Sequence, residues 1–153
     1  MFGIRQTLVA AAGILLLAGT AHAAEVFTIT SPAFKDGTLL AKKNAGANKS
    51  NPNCVGENVS PPLEWTNVPA GTTSFALVMT DPEGRGIGTA KQSIYMGPCT
   101  PPGSPHHYTF VLIATDLDPK ALPPGLTKLE LFDKLNGHVK GSTGIIGLFK
   151  NPL

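Results

Sequence analysis

Two imidazoles and a phenol lie where a stiff loop runs into a strand-like pattern, and together they could form a small binding site. The loop, residues 97–105, is rich in Pro and Gly, which disfavours a helix or a central strand. In the strand that follows, side chains alternate between faces, so His106 and Tyr108 point one way and His107 the other. Imidazole and phenol can both donate hydrogen bonds. The pattern predicts a site around His106 and Tyr108.

The sequence lacks the usual signatures of metal and nucleophilic chemistry. Adjacent His106 and His107 face apart on a strand and cannot easily hold one ion, and neither Cys-x-x-Cys nor His-Glu-x-x-His occurs. There is no Gly-x-Ser-x-Gly motif. The glycines between Gly84 and Gly88 are not followed by Lys-Ser/Thr, so they do not predict a phosphate loop. We therefore expect a protein that is not an enzyme, with no metal and no cofactor.

The N-terminus and the charge balance predict one exported domain. Arg5, the apolar run 8–18 and the small-x-small residues 21–23 form a secretory signal, which leaves residues 24–153 as the mature domain. Twelve basic and ten acidic side chains without a basic cluster do not predict nucleic-acid binding. No later stretch is apolar enough to predict a membrane span. We expect a periplasmic or secreted protein.

The chain has two cysteines, Cys54 and Cys99, both in the predicted mature domain. An even number of cysteines in an oxidising compartment predicts one disulfide. In the chain-entropy model, a bridge of this span would stabilise the fold by about 4 kcal/mol. Two free, buried thiols are the alternative, because the sequence does not show whether the two side chains come close.

Short apolar runs separated by Gly, Pro and Asn are typical of an all-β sandwich. The run 74–79 is continuously apolar, and we expect it to be buried on both faces. The expected strands are 26–31, 38–40, 63–65, 74–79, 107–114 and 144–149.

One late helix interrupts this pattern. Thr127 and Glu130 have the spacing of a capping box, in which a hydroxyl and a carboxylate satisfy the first backbone N–H groups. Leu129, Phe132 and Leu135 follow at helical spacing and predict an apolar face. The predicted fold class is therefore all-β with one late helix.

An ordered set of short motifs runs through nearly all of the predicted mature domain. They are Asn58-x-Ser60-Pro61-Pro62-Leu63-x-Trp65, Asp81-Pro82, Gly97-Pro98-Cys99-x-Pro101-Pro102, Pro105-His106-x-Tyr108-x-Phe110 and Gly137-His138-Val139. Each motif alone is weak, but their order is specific. The set resembles the phosphatidylethanolamine-binding proteins, the Raf kinase inhibitor-like family, in its bacterial exported branch.

The resemblance implies a two-sheet β-sandwich with a small anion pocket at one end. The pocket would be lined by Asp81, Pro101, Pro102, His106 and Tyr108. His106 and Tyr108 would donate hydrogen bonds to an anion such as phosphate or a phosphoethanolamine headgroup. Asp81 would hold His106 protonated and oriented, or share a proton with the ligand.

The chain differs from the family pattern after Asp81-Pro82. Members carry there a further strand with a His-Trp pair, whose histidine also lines the pocket. Here residues 83–94 alone lead to Tyr95, and they contain no His-Trp. The sandwich is therefore expected to be incomplete in its middle. The remaining strands either pair directly or leave an edge that recruits a second copy.

Three functions remain open from the sequence. The leading hypothesis is an exported, non-enzymatic binding protein for a small anion or phospholipid headgroup. The second is an interaction module that inhibits an unknown protein partner, such as a protease or kinase, and retains a vestigial pocket. The third is a hydrolase that uses His106. A binding protein would show saturable binding without turnover. An inhibitor would bind its partner equally well after His106→Ala. A hydrolase would turn over an ester and lose this activity with the same substitution.

Overall fold

A computed structural model describes residues 25–84 and 94–152. The predicted signal sequence, residues 1–23, and the segment 85–93 lie outside the described residues. Short 3₁₀ turns occur at Lys42–Asn44 and Pro119–Ala121. In the described ranges the regular elements are β1 Thr28–Thr30, β2 Thr38–Leu39, β3 Glu64–Thr66, β4 Ser74–Thr80, β5 His106–Thr115, α1 Lys128–Leu135 and β6 Val139–Phe149.

The strands form two sheets. The larger sheet has the order β2-β6-β5-β4, in which β2 is parallel to β6 and the other neighbours are antiparallel. The smaller sheet pairs β1 with β3 antiparallel. β6 begins at Val139, five residues before the predicted start at 144. The predicted fold, two sheets with one late helix, is confirmed.

The hydrophobic core is centred on β5. This strand lies inside the larger sheet, where it pairs with β4 on one side and β6 on the other. Every second side chain faces the core and is buried, namely Tyr108, Phe110, Leu112 and Ala114. They pack against Phe27, Ile29 and Phe34 from the N-terminal part of the chain. Because side chains alternate along a strand, His106 lies on the same face as Tyr108.

β4 is an edge strand, which corrects the prediction that residues 74–79 are buried on both faces. It pairs with β5 along its whole length, from Ser74 opposite Thr115 to Thr80 opposite Thr109. Phe75 and Leu77 are 36% and 51% exposed. Within residues 25–84 and 94–152, no strand pairs with the other edge of β4. Apolar content alone could not distinguish an edge strand from a central one.

The helix α1 begins as predicted. The side chain of Thr127 accepts a bond from Glu130 N, and the Glu130 carboxylate accepts one from Thr127 N at 2.7 Å. Its predicted apolar face is only partly covered, because Leu135 is buried whereas Leu129 and Phe132 are exposed. In the described part of the chain, no helix has the length and apolar character needed to cross a bilayer.

Candidate functional site

The end of β4 and the start of β5 bring Asp81 and His106 together. Asp81 Oδ2 lies 2.9 Å from His106 Nδ1. An ionised carboxylate can only accept hydrogen bonds, so Nδ1 carries the proton. The two side chains are 23% and 21% exposed, so both are held in place and are still reached by solvent. Two of the five predicted site residues therefore form one unit.

The turn that follows β4 orients the Asp81 carboxylate. Asp81 Oδ1 accepts bonds from the backbone N–H groups of Glu83 and Gly84, at 3.0 Å and 2.9 Å. This side-chain turn is typical of aspartate after a strand. With Oδ1 held by two amides and Oδ2 by His106, the carboxylate cannot rotate without losing bonds. A protonated His106 would then have Nε2 as its second donor, available to a ligand.

Tyr108 lies two residues further along the same face and is buried. Its hydroxyl is 2.7 Å from Thr100 Oγ1. Burial raises the pKa of Tyr108, and the nearby charge of Asp81 acts in the same direction, whereas the Thr100 hydrogen bond opposes both. The phenol is therefore neutral and can donate. The Thr100 carbonyl in turn accepts from Asn151 Nδ2 at 2.9 Å, which ties this part of the site to the C-terminal segment.

A second carboxylate–imidazole pair lies beside the first. His107 Nδ1 is 2.5 Å from Glu83 Oε1, and the backbone N–H of His107 donates to Glu83 Oε2 at 3.1 Å. The side-chain bond from His107 is the main cause that lowers the pKa of Glu83 from 4.5 to about 2. The sequence predicted that His107 would point away from His106, and did not identify Glu83 as its partner.

We expect His107→Ala to raise the pKa of Glu83 from about 2 towards its ordinary value of 4.5. The backbone N–H of residue 107 still donates, so the return should be partial. A carboxylate with a lowered pKa stabilises the fold above pH 4.5, and this stabilisation is lost as the pH falls towards about 2. NMR titration of the Glu83 carboxyl carbon measures the change.

His138→Ala is the matched control for this titration. It removes another exposed carboxylate–imidazole pair, His138 with Asp116 at 2.8 Å, and should leave the pKa of Glu83 unchanged. An unchanged Glu83 titration in His107→Ala would contradict the assignment.

The loop before β5 is anchored by the disulfide between Cys54 and Cys99, which is formed as predicted. The alternative of two free thiols is therefore wrong. Gly46 N donates to Pro98 O at 2.8 Å, so the two loops also meet through their backbones. A Cβ on Gly97 would lie 2.2 Å from the Asn44 carbonyl oxygen, so the two loops can approach this closely only with glycine at position 97.

The other two predicted site residues, Pro101 and Pro102, lie exposed in the loop before β5.

Three of these side chains could hold a metal ion. Asp81, Glu83 and His106 each offer a ligand atom, and these atoms lie within 4.8 Å of one another. Two carboxylates and an imidazole are suitable ligands for zinc. Both carboxylates already accept hydrogen bonds from histidine and from backbone N–H groups, so the cluster is held together without an ion. That the protein uses no metal stays a prediction.

A family model described as phosphatidylethanolamine-binding protein matches residues 30–92 and 83–150 of this sequence. The chain belongs to the phosphatidylethanolamine-binding protein family. A UPF0098 protein of Aquifex aeolicus is 30% identical, over 82% of this chain and 89% of that protein. LppC of Mycobacterium tuberculosis, named as a candidate lipoprotein, is also 30% identical, over 85% of this chain and 75% of its own length.

Solved structures of the family have the same fold. The crystal structure of YbcL from Escherichia coli, described as a new member of the mammalian family, superposes with a TM-score of 0.68 and 21% identity. The comparison covers 81% of this chain and 98% of YbcL. A homologue from Chlamydia trachomatis gives a TM-score of 0.63 and 22% identity, over 81% of this chain and 97% of that one.

The comparisons also locate the shortened region relative to other members of the phosphatidylethanolamine-binding protein family. The Aquifex alignment extends over 161 positions although only 82% of this 153-residue chain takes part, so about 35 positions have no counterpart here. The family model matches in two pieces, 30–92 and 83–150, which overlap at residues 83–92. The number of unmatched positions agrees with a missing segment, and the overlap agrees with its predicted place just after Asp81-Pro82.

Proposed function

We propose that this member of the phosphatidylethanolamine-binding protein family is a non-enzymatic protein that binds a small anion. The site consists of Asp81, His106 and Tyr108, with Pro101 and Pro102 at its rim, and its ligand is phosphate or a phosphoethanolamine headgroup. The observation that supports this most is the 2.9 Å bond between Asp81 and His106 at a solvent-accessible end of the sheet. It supplies an oriented imidazole where family membership implies a pocket.

The charges of this unit favour an anion only when His106 is protonated. Asp81 is then balanced by the imidazolium, and the N–H at Nε2 attracts the ligand. A neutral phenol at Tyr108 adds a donor without adding negative charge. In the described part of the chain, one imidazole with few neighbouring cations predicts weak binding. Arg85, the basic residue nearest in sequence, lies outside the described residues.

His106→Gln should weaken phosphate binding by about tenfold or more, because hydrogen bonds to charged groups contribute about 1.5–3 kcal/mol. Isothermal titration of the disulfide-bonded protein with phosphate and with phosphoethanolamine measures the loss. His138→Gln replaces another histidine paired with a carboxylate and should leave the affinity unchanged. Equal affinities for the wild type and His106→Gln would exclude this site.

Anion affinity should also fall as the pH rises through the neutral range. Imidazole is the side chain that ordinarily changes charge between about pH 5 and 8, and its proton provides the attraction. Phosphate itself ionises in this range, so sulfate, whose charge stays constant, is the appropriate probe. Sulfate affinity that does not change between acidic and mildly basic pH would contradict a role for protonated His106.

We further infer that the protein works in the periplasm or outside the cell. The Cys54–Cys99 disulfide supports this, since such bridges persist in oxidising compartments. The candidate lipoprotein of M. tuberculosis among its relatives supports it as well. Fractionation of cells that express the full chain, followed by intact-mass analysis, tests both the location and the cleavage expected after residue 23.

An inhibitor of a protein partner is the second candidate function. It is favoured by the shortened region, because the resemblance places the second pocket histidine of the family in the missing segment. A vestigial pocket would bind neither phosphate nor phosphoethanolamine. In that case the protein would inhibit a protease or kinase equally well with and without His106→Ala.

A further inference from the structure

We propose that the free edge of β4 is a homodimer interface, at which two copies pair their β4 strands antiparallel about a two-fold axis through Leu77. The inference does not depend on the proposed anion site. It rests on the edge itself, on the apolar face beside it and on the length of chain that relatives have at this point.

The residues of β4 itself carry none of the sequence features that usually protect a sheet edge. β4 reads Ser-Phe-Ala-Leu-Val-Met-Thr, without charge, Pro or Gly, from Ser74 to Thr80. Edge strands that stay unpaired are usually interrupted by Lys, Pro or a bulge, because their free N–H and C=O groups otherwise pair with another strand. The pairing of β4 with β5 is regular over all seven residues. β4 is therefore free of bulges and long enough to accept a partner strand.

In the described part of the chain, the inner face of β4 is also only partly covered. Phe75 and Leu77 lie opposite Ala114 and Leu112 of β5, so they point towards the core side of the sheet. Ala114 and Leu112 are buried, whereas Phe75 and Leu77 remain 36% and 51% exposed. Two aromatic rings lie beside Phe75, Trp65 of the smaller sheet and Phe27 just before β1, with centroids 5.3 Å and 6.3 Å from its own. Within residues 25–84 and 94–152, this side of the sandwich is therefore only partly covered, and Leu77 stays half exposed.

Relatives have more chain at this point. About 35 aligned positions of the Aquifex protein have no counterpart in this sequence. The family model matches in two pieces, 30–92 and 83–150, which overlap at residues 83–92, immediately after β4 and its turn. The missing positions therefore fall next to the edge of β4 that no described strand covers. A second copy offers the same apolar strand and can cover the edge without any further partner.

The sequence of β4 is self-complementary in this arrangement. With Leu77 opposite Leu77 of the second copy, Phe75 faces Met79, and Ala76 faces Val78. Each pair is apolar and lies on one face, as cross-strand stabilisation requires. Asp81 falls opposite Thr73 of the second copy, so the register brings no like charges together. The product is one continuous sheet of eight strands.

Light scattering after size exclusion tests the dimer on the purified, disulfide-bonded protein. We expect twice the monomer mass for the wild type. Leu77→Lys, which places two like charges at the axis, should raise the dissociation constant at least about tenfold. Leu129→Lys is the matched control, because Leu129 is an exposed leucine on helix α1 and should not affect the dimer. A monomeric wild type, or a dimer that Leu77→Lys leaves intact, would overturn the proposal.

Cross-linking tests the register. Leu77→Cys should form a covalent dimer with a short thiol-reactive linker. Ser74→Cys should not, because its equivalents lie at opposite ends of the paired strands, about 20 Å apart at 3.3 Å per residue. Efficient cross-linking of Ser74→Cys with none at Leu77→Cys would show another arrangement and reject the two-fold at Leu77.

Discussion

Replacing both Cys54 and Cys99 with serine should lower the free energy of unfolding by about 4 kcal/mol. The bridge closes a loop with a sequence separation of 45 residues, and its removal returns that conformational freedom to the unfolded chain. It also joins the two loops that precede β3 and β5, so its loss should loosen the segment that leads to His106. Urea denaturation of the wild type and the double variant measures the difference as a shift of the midpoint.

Two further measurements test whether this loss comes from the bridge. The wild type under reducing conditions should unfold at the same urea concentration as the double serine variant. Ser50→Ala, an exposed change in the loop that leads to Cys54, should alter stability by no more than about 0.5 kcal/mol. Identical unfolding of the oxidised wild type and the double variant would show that the bridge contributes no stability.

Phe110→Ala should lower the free energy of unfolding by about 3–5 kcal/mol. Phe110 is 1% exposed, lies opposite Met79 and Ile145 on the neighbouring strands, and its ring centroid is 5.9 Å from that of Phe34. Its removal leaves a cavity at the centre of the larger sheet. Since small domains are stable by about 5–15 kcal/mol, this loss would use a large part of the total. Urea denaturation followed by circular dichroism measures it.

Leu129→Ala is the control for Phe110→Ala, because Leu129 is 75% exposed and contributes little burial. It should change stability by no more than about 0.5 kcal/mol. If Phe110→Ala does not fold, Phe110→Leu keeps more of the buried volume and should show a smaller loss of the same sign. A midpoint for Phe110→Ala equal to that of the wild type would contradict the core described here.

The parts of this fold that depend on local interactions were predictable. The capping box of α1 needs only Thr127 and Glu130, three residues apart, and it forms as expected. The alternation of β5 follows from strand geometry, so it was possible to predict that His106 and Tyr108 share a face. The family followed from an ordered set of motifs, and the family model confirms it.

The pairing of side chains distant in sequence could not be predicted in the same way. The sequence left a disulfide and two free thiols as alternatives, and the meeting of the two loops decided between them. Glu83 carries no signal of its own, because its partner His107 lies 24 residues away and only the β4–β5 pairing brings them together. Thr100 was missed for the same reason, since its hydroxyl becomes part of the site only where it meets Tyr108.

The sequence alone determined the late helix, the alternation of β5 and the candidates His106 and Tyr108, because these depend on residues that are near neighbours along the chain. The tertiary structure decided which apolar residues are covered. Residues 74–79 are apolar enough for a central strand, yet β4 lies at an edge with Leu77 exposed. Burial depends on which other segments are present to pack against a strand, and that information does not lie in the strand itself.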